Sequence, residues 1–174
     1  MNDGHESICD QDATFEETIR RHQAMVFSVA YHFLRNVAAA EEVAQDVFLE
    51  LYRHYGCIRS PQHLLFWLRK VAVHRSLDYL RRQPPSGVSL DELAELGANP
   101  TAEDPWLSAK LRQLVSTLPP KPRMVVILRF QEDLELAEIA ETLDLPVNTV
   151  KSSLRRALAV LEAKLTRCLG EVKK

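Results

Sequence analysis

Apolar positions recur at helical spacing along almost the whole chain, and no segment sustains the period-two alternation of a half-buried strand. Ile19, Val26, Phe27, Ala30 and Phe33–Leu34 predict a first helix over Phe15–Leu34. Val43, Val47, Phe48 and Leu51 share one face of a second, over about Ala39–Tyr55, which Gly56–Pro61 breaks. Leu65, Leu68, Ala72, Leu77 and Leu80 make one side of a third, over Gln62–Arg82, and Pro84, Pro85 and Gly87 end it. After a stretch with no such period, helical spacing resumes over Trp106–Thr117 and Pro122–Phe130, with Pro122 suited to a first turn.

Leu134–Leu165 is the most informative segment. An acidic amphipathic helix runs to Leu143, Asp144–Pro146 breaks it, and another helix starts near Asn148 carrying Lys151, Arg155 and Arg156. Two helices joined by a tight turn, with bases on the second, make the layout of a helix-turn-helix that reads a major groove. Lys151, Ser152 and Arg155 share a face, while Val150, Leu154, Leu158 and Leu161 lie opposite as core. Asn148 or Thr149 can cap free N–H groups at the helix start, where a phosphate is also favoured. A solvated basic helix in an ordinary bundle is the plain alternative, and the preceding turn argues against it.

Charge changes this picture by its placement. The 174 residues carry a net charge of −2, which excludes a chain that coats nucleic acid indiscriminately. Arg59–Arg82 nevertheless holds six Lys/Arg against Asp78 alone, and Leu145–Lys174 holds seven against Glu162 and Glu171. Between them Gln83–Ala109 has five acids and no base. Four prolines and two glycines mark Gln83–Pro105 as a linker, with room for a helical turn at Leu90–Leu96. The expected architecture is therefore all-α: two small helical domains joined by an acidic Pro/Gly-containing linker, the second with the helix-turn-helix. The domain spans are 1–83 and 106–174, around a linker at 84–105.

On the third helix, Arg69, Lys70, His74, Arg75, Arg81 and Arg82 lie close to Phe66 and Trp67. Cations interleaved with rings suit an unpaired strand, whose bases stack while its phosphates meet charge. A lone Trp is more often core, and His74 more often plain surface. On the second helix Glu41, Glu42, Gln45, Asp46 and Glu50 flank an apolar stripe. Their spacing alone favours a solvated face; the functional alternative is a partner-binding face. No His or Cys accompanies them, so no metal site is expected, and no phosphate-loop, dinucleotide or nucleophile-elbow motif occurs. Cys9, Cys57 and Cys168 read as free thiols. An acidic, polar N-terminus and the lack of a 20-residue apolar run favour a cytoplasmic protein.

These parts, in this order, resemble a bacterial RNA polymerase sigma factor of the extracytoplasmic-function type. AAEEVAQDVFLELY (Ala39–Tyr52) is similar to the helix by which that family docks on the polymerase clamp. FWLRKVAVHRSLDYLRR (Phe66–Arg82) is similar to its −10 melting helix. LRQLVSTLPPKPRMVVILRF (Leu111–Phe130), followed by LAEIAETLDLPVNTVKSSLRRAL (Leu136–Leu158), resembles its −35 reading domain. Ala39, His74, Asn148 and Ser153 depart from the residues usual at those places.

The resemblance implies a promoter-specificity subunit that is no enzyme and needs no cofactor. Residues 1–83 would be sigma domain two and 106–174 sigma domain four. Glu41, Glu42, Gln45 and Asp46 would face the clamp. Arg59, Ser60, Trp67, Arg69, Lys70, His74 and Arg75 would lie near the −10 strand. Asn148, Thr149, Lys151, Ser152, Arg155 and Arg156 would lie at the −35 groove or its phosphates. Helices around Leu111–Phe130 would cradle the flap of the second-largest subunit. Implied partners are core RNA polymerase, promoter DNA and an anti-sigma factor. A conventional helix-turn-helix regulator of duplex DNA is the alternative; it leaves the basic third and acidic second helices unexplained.

Overall fold

The computed structural model describes residues 15–82 and 105–172. The N-terminal tail with Cys9, the Leu90–Leu96 turn and the acidic linker up to residue 104 lie outside them. Among the described residues there is no strand. The helices are α1 (Phe15–Leu34), α2 (Val37–His54), α3 (Pro61–Arg82), α4 (Pro105–Ser116), α5 (Pro120–Phe130), α6 (Leu136–Thr142) and α7 (Val147–Val172). A 3₁₀ turn, Tyr55–Cys57, follows α2. Two compact units form, the first on α1–α3, the second on α4, α5, α7 and most of α6.

In the first unit each helix packs on the other two. Val26, Val29, Ala30 and Phe33 of α1 meet Ala40, Val43, Val47 and Leu51 of α2 in a closed core. From α3 the core takes Leu64, Leu68, Ala72, Val73 and Ser76, and not the expected Leu65, Leu77 and Leu80, which are only half-buried. Packing against two neighbours sets a wide buried arc whose centre the spacing of leucines misplaced. Buried Ser76 is satisfied by donating to the Ala72 carbonyl at 2.7 Å.

The corner between α1 and α2 is local chemistry. Arg35 takes a left-handed φ of 57° and its N–H donates to the Tyr31 carbonyl at 2.8 Å, which stops α1. Asn36 then caps α2, its side-chain oxygen accepting from the Ala39 N–H at 2.9 Å. A cap of this kind stabilises by about 1 kcal/mol.

In the second unit α7 packs on α5 and α4. Five consecutive residues of α5, Met124–Leu128, are buried, as befits a helix apolar nearly all round. Leu118, Val126 and Ala157 form one cluster, with Val115, Leu154 and Leu161 packed against it. Leu158, expected in that core, is instead 40% exposed, and Ala157, one residue before it, is buried. Arg123 ties the α4–α5 turn: its guanidinium donates to the carbonyls of Ser116 and Leu118. Burial holds the pKa of this guanidinium below its ordinary value.

The helix-turn-helix corner is a Schellman motif. Asp144 adopts φ 53°, the Asp144 N–H donates to Glu141, and the Leu145 N–H donates to the Ala140 carbonyl at 2.9 Å. The carbonyl of Pro146 then accepts from Thr149 and Val150, opening α7. At the other end of α6, the Glu138 carboxylate accepts from the Glu135 N–H at 2.7 Å, satisfying a donor ahead of the first turn.

Candidate nucleic-acid interface

The start of α7 presents polar atoms to solvent. Because successive residues turn by about 100°, Asn148, Lys151, Ser152 and Arg155 fall on one side, away from buried Val150 and Ala157. Asn148, Thr149, Lys151, Arg155 and Arg156 are exposed, and Ser152 is half-buried. Asn148 and Thr149 do not cap the helix as expected. The helix begins at Val147, so both lie inside its first turn, where their own N–H groups face the start of the helix. Ser152 donates its hydroxyl to the Thr149 carbonyl at 3.0 Å, and Arg156 folds back with its Nε 3.2 Å from the Ser152 carbonyl. Lys151 and Arg155 are the cations of this face that point outward with no such tether.

The basic surface of α3 is built differently. The same 100° rule puts Trp67, Lys70, His74 and Arg81 on one side of the helix. Arg69 and Arg75 diverge from it, one at each edge of the buried arc. Lys70, His74, Arg69 and Trp67 are all half-buried. The Trp67 ring lies 6.1 Å from that of His54 on α2, so it is neither a core residue nor a bare platform. Arg75 reaches α2, where its guanidinium meets Glu50 at 2.9 Å. Arg81 pairs with Asp78 at 3.0 Å on the same helix. Ser60 has structural work: its hydroxyl accepts from the His63 N–H at 3.1 Å and its carbonyl from Leu64, so it caps α3. The N–H of Arg59 donates to His63 Nδ1 at 3.3 Å across the same turn, leaving the exposed Arg59 side chain beside the start of α3.

The acidic positions of α2 rim an apolar groove. Glu41, Glu42 and Gln45 are exposed and Asp46 half-buried. Glu41 and Gln45 join Ala44, Phe48, Leu49 and Tyr52 on one wall, and Phe15, Ile19, Gln23, Ala24 and Phe27 of α1 form the other. The groove encloses about 960 Å³. Leu49 and Tyr52 are 57% and 70% exposed, large apolar area for a lone surface to leave in water. Phe15 meets both Tyr52 and Tyr55 edge-on with ring centroids 5.4 Å apart, which fixes one end of the groove. Ile19 and Phe27, apolar positions of α1 by their spacing, belong to this wall, which helical spacing alone does not separate from the core. Its signal was a surplus: α1 carries apolar residues on two strips, Phe15–Ile19–Phe27 and Val26–Val29–Phe33, where one suffices for a core.

Comparison with known proteins places both units. The model of sigma-70 region 2 matches residues 18–84, and that of sigma-70 region 4 matches residues 108–161. The ECF RNA polymerase sigma-E factor of Escherichia coli K12 is 32% identical over 170 residues, covering 90% of this chain and 88% of that protein. RNA polymerase sigma factor SigV of Bacillus subtilis is 31% identical over 149 residues, covering 86% and 89%. The chain belongs to the extracytoplasmic-function sigma factors of bacterial RNA polymerase. Among solved structures, sigma factor RpoE of Bartonella quintana, determined with the anti-sigma factor NepR, superposes with a TM-score of 0.71 at 18% identity over 87% of this chain and 96% of that one. CnrH, determined with the cytosolic domain of CnrY, gives 0.63 at 20% identity over 88% of each. At such identities these two speak for the fold alone.

In this sigma factor the region 2 match takes in Glu50, all of α3 and the groove apart from Phe15. The region 4 match stops at residue 161, within α7 and beyond its exposed basic turns. No helix among the described residues is long and apolar enough to cross a membrane. Cys57 and Cys168 are free.

Proposed function

We propose that this sigma factor binds core RNA polymerase through the α1–α2 groove, places α7 at a −35 element and uses α3 to hold the −10 strand open. Sigma domain two is residues 1–83, sigma domain four is residues 106–174, and 84–105 tethers them. The observation that carries the reading is the division of labour between surfaces within one chain. The groove is apolar with a rim of Glu41 and Gln45, which suits a protein helix bearing bases; the exposed turns of α7 are cationic and suit a groove of duplex DNA.

Glu41, Glu42, Gln45 and Asp46 are the clamp-facing residues. Lys151 and Arg155, outward and untethered, are the base-edge readers of α7, with Asn148, Thr149 and Ser152 beside them and Arg156 set toward a phosphate. Lys70, His74 and Trp67 are the strand-facing residues of α3, flanked by Arg59, Arg69 and Arg75. Leu111–Phe130 cradles the polymerase flap. The protein acts in the cytoplasm, without catalysis of its own and without a cofactor, and an anti-sigma factor that covers these surfaces regulates it.

The test is reconstitution. The isolated chain binds duplex DNA weakly, because a net charge of −2 leaves each unit only a few phosphate contacts. Adding core polymerase raises promoter affinity sharply and yields run-off transcripts from a genomic library. Permanganate then detects unpaired thymines at the −10 region, and fewer of them with His74→Ala. Tight, sequence-specific binding by the chain alone, with no co-purification of core polymerase, would assign it instead to conventional helix-turn-helix regulators.

A further inference from the structure

Arg75, a cation of the strand-facing set, is held by an ion pair to α2. Its guanidinium lies 2.9 Å from Glu50 Oε2, and the two side chains retain only 33% and 25% of their exposure. Two further side chains lie near the carboxylate. Arg53 is 3.7 Å and His54 3.8 Å away, but these side chains are 69% and 48% exposed. Arg75 is therefore the short, half-buried partner, and the others are weak solvated ones. A carboxylate and a phosphate oxygen present a guanidinium with the same kind of acceptor. Glu50 sits on α2, four residues after Asp46, and takes no part in the groove.

We infer that Glu50 is a positioning residue: it occupies Arg75 as an internal stand-in for phosphate, and a single-stranded DNA phosphate replaces it when the strand arrives. The inference rests on the reading that α3 faces the strand. While the pair is closed, the free protein has one cation fewer to release counterions from DNA, which keeps it off nucleic acid in general. When it opens, one ion pair exchanges for another, and the cost of desolvating Arg75 is already met by its half-buried seat.

The experiment uses the full chain, a short fluorescent oligodeoxythymidine strand and a salt series. Glu50→Gln removes the charge and keeps the shape. It should bind the strand several-fold more tightly at low salt, and the slope of log affinity against log salt should steepen by about 0.7, the value of one added single-strand phosphate contact. Glu50→Asp should stay near wild type. Arg75→Gln should weaken strand binding modestly in the wild-type background, where opening the Glu50 pair offsets part of the phosphate contact, and should abolish the gain in the Glu50→Gln background. A stability role alone shifts the melting temperature and leaves the slope unmoved. The inference is overturned if Glu50→Gln gains neither affinity nor slope, or if the gain survives Arg75→Gln and so comes from lost negative charge in general. Arg69→Ala and Lys70→Ala separate the two layers. If they weaken binding while Glu50→Gln has no effect, α3 faces the strand and only the masking is wrong. If neither matters, the assignment of α3 to the strand fails first.

Discussion

The two basic helices, α3 and α7, have similar inventories of charge and opposite availability. α3 packs against both α1 and α2, so much of its circumference is spoken for. Its Trp67, Arg69, Lys70, His74 and Arg75 are half-buried, and Arg75 is drawn onto α2. α7 buries a narrow stripe through Val150 and Ala157 and leaves Lys151 and Arg155 in water. A count of Lys and Arg does not tell these cases apart. A surface set into a packed domain is pre-organised for a strand that must be held apart. A packed helix whose polar face stays in water can enter a duplex groove at the cost of little but side-chain entropy.

Breaking α3 by its packing should give the largest effect. Leu68 is fully buried, so Leu68→Ala should cost the first unit about 2–5 kcal/mol. Urea unfolding followed by circular dichroism measures it. The contrast sharpens on α7, where Lys151→Ala and Arg155→Ala should leave stability within about 0.5 kcal/mol of wild type. They should instead cost about 1–3 kcal/mol at the promoter if each reads a base edge. Run-off transcription from templates with intact and scrambled −35 elements reports this. Equal loss on both templates would make the contact one to phosphate.

Trp67→Ala tests the half-buried middle ground. With part of the ring against His54, the loss should be about 1–2 kcal/mol, less than that of a fully buried aromatic. Permanganate reactivity at the −10 region should fall by more than such a loss explains. Ser60→Ala should be mildest, about 1 kcal/mol, because the hydroxyl caps α3. Thermal unfolding gives this value. If −10 opening drops while stability holds, Ser60 has a DNA contact in addition to its cap.

The sequence by itself determined the order, type and near-bounds of the helices. Each amphipathic stripe, with its Pro, Gly or Asp–Leu–Pro break, is a local property, and α1 falls on the expected residues 15–34. It also determined the class, since the segments at Ala39–Tyr52, Phe66–Arg82 and Leu136–Leu158 carry their resemblance residue by residue. Only the tertiary structure decided which side chains are free to act. Whether Ile19 and Phe27 line a groove or a core depends on where α2 lies. Whether Arg75 is bare or paired depends on Glu50, twenty-five residues earlier in sequence and 2.9 Å away in space. That the Ser60 hydroxyl caps α3 depends on the fold of the turn that brings the His63 N–H within 3.1 Å of it. Periodicity within one helix specifies a face; the neighbour that covers or uncovers that face is set by packing between helices, which no single helix encodes.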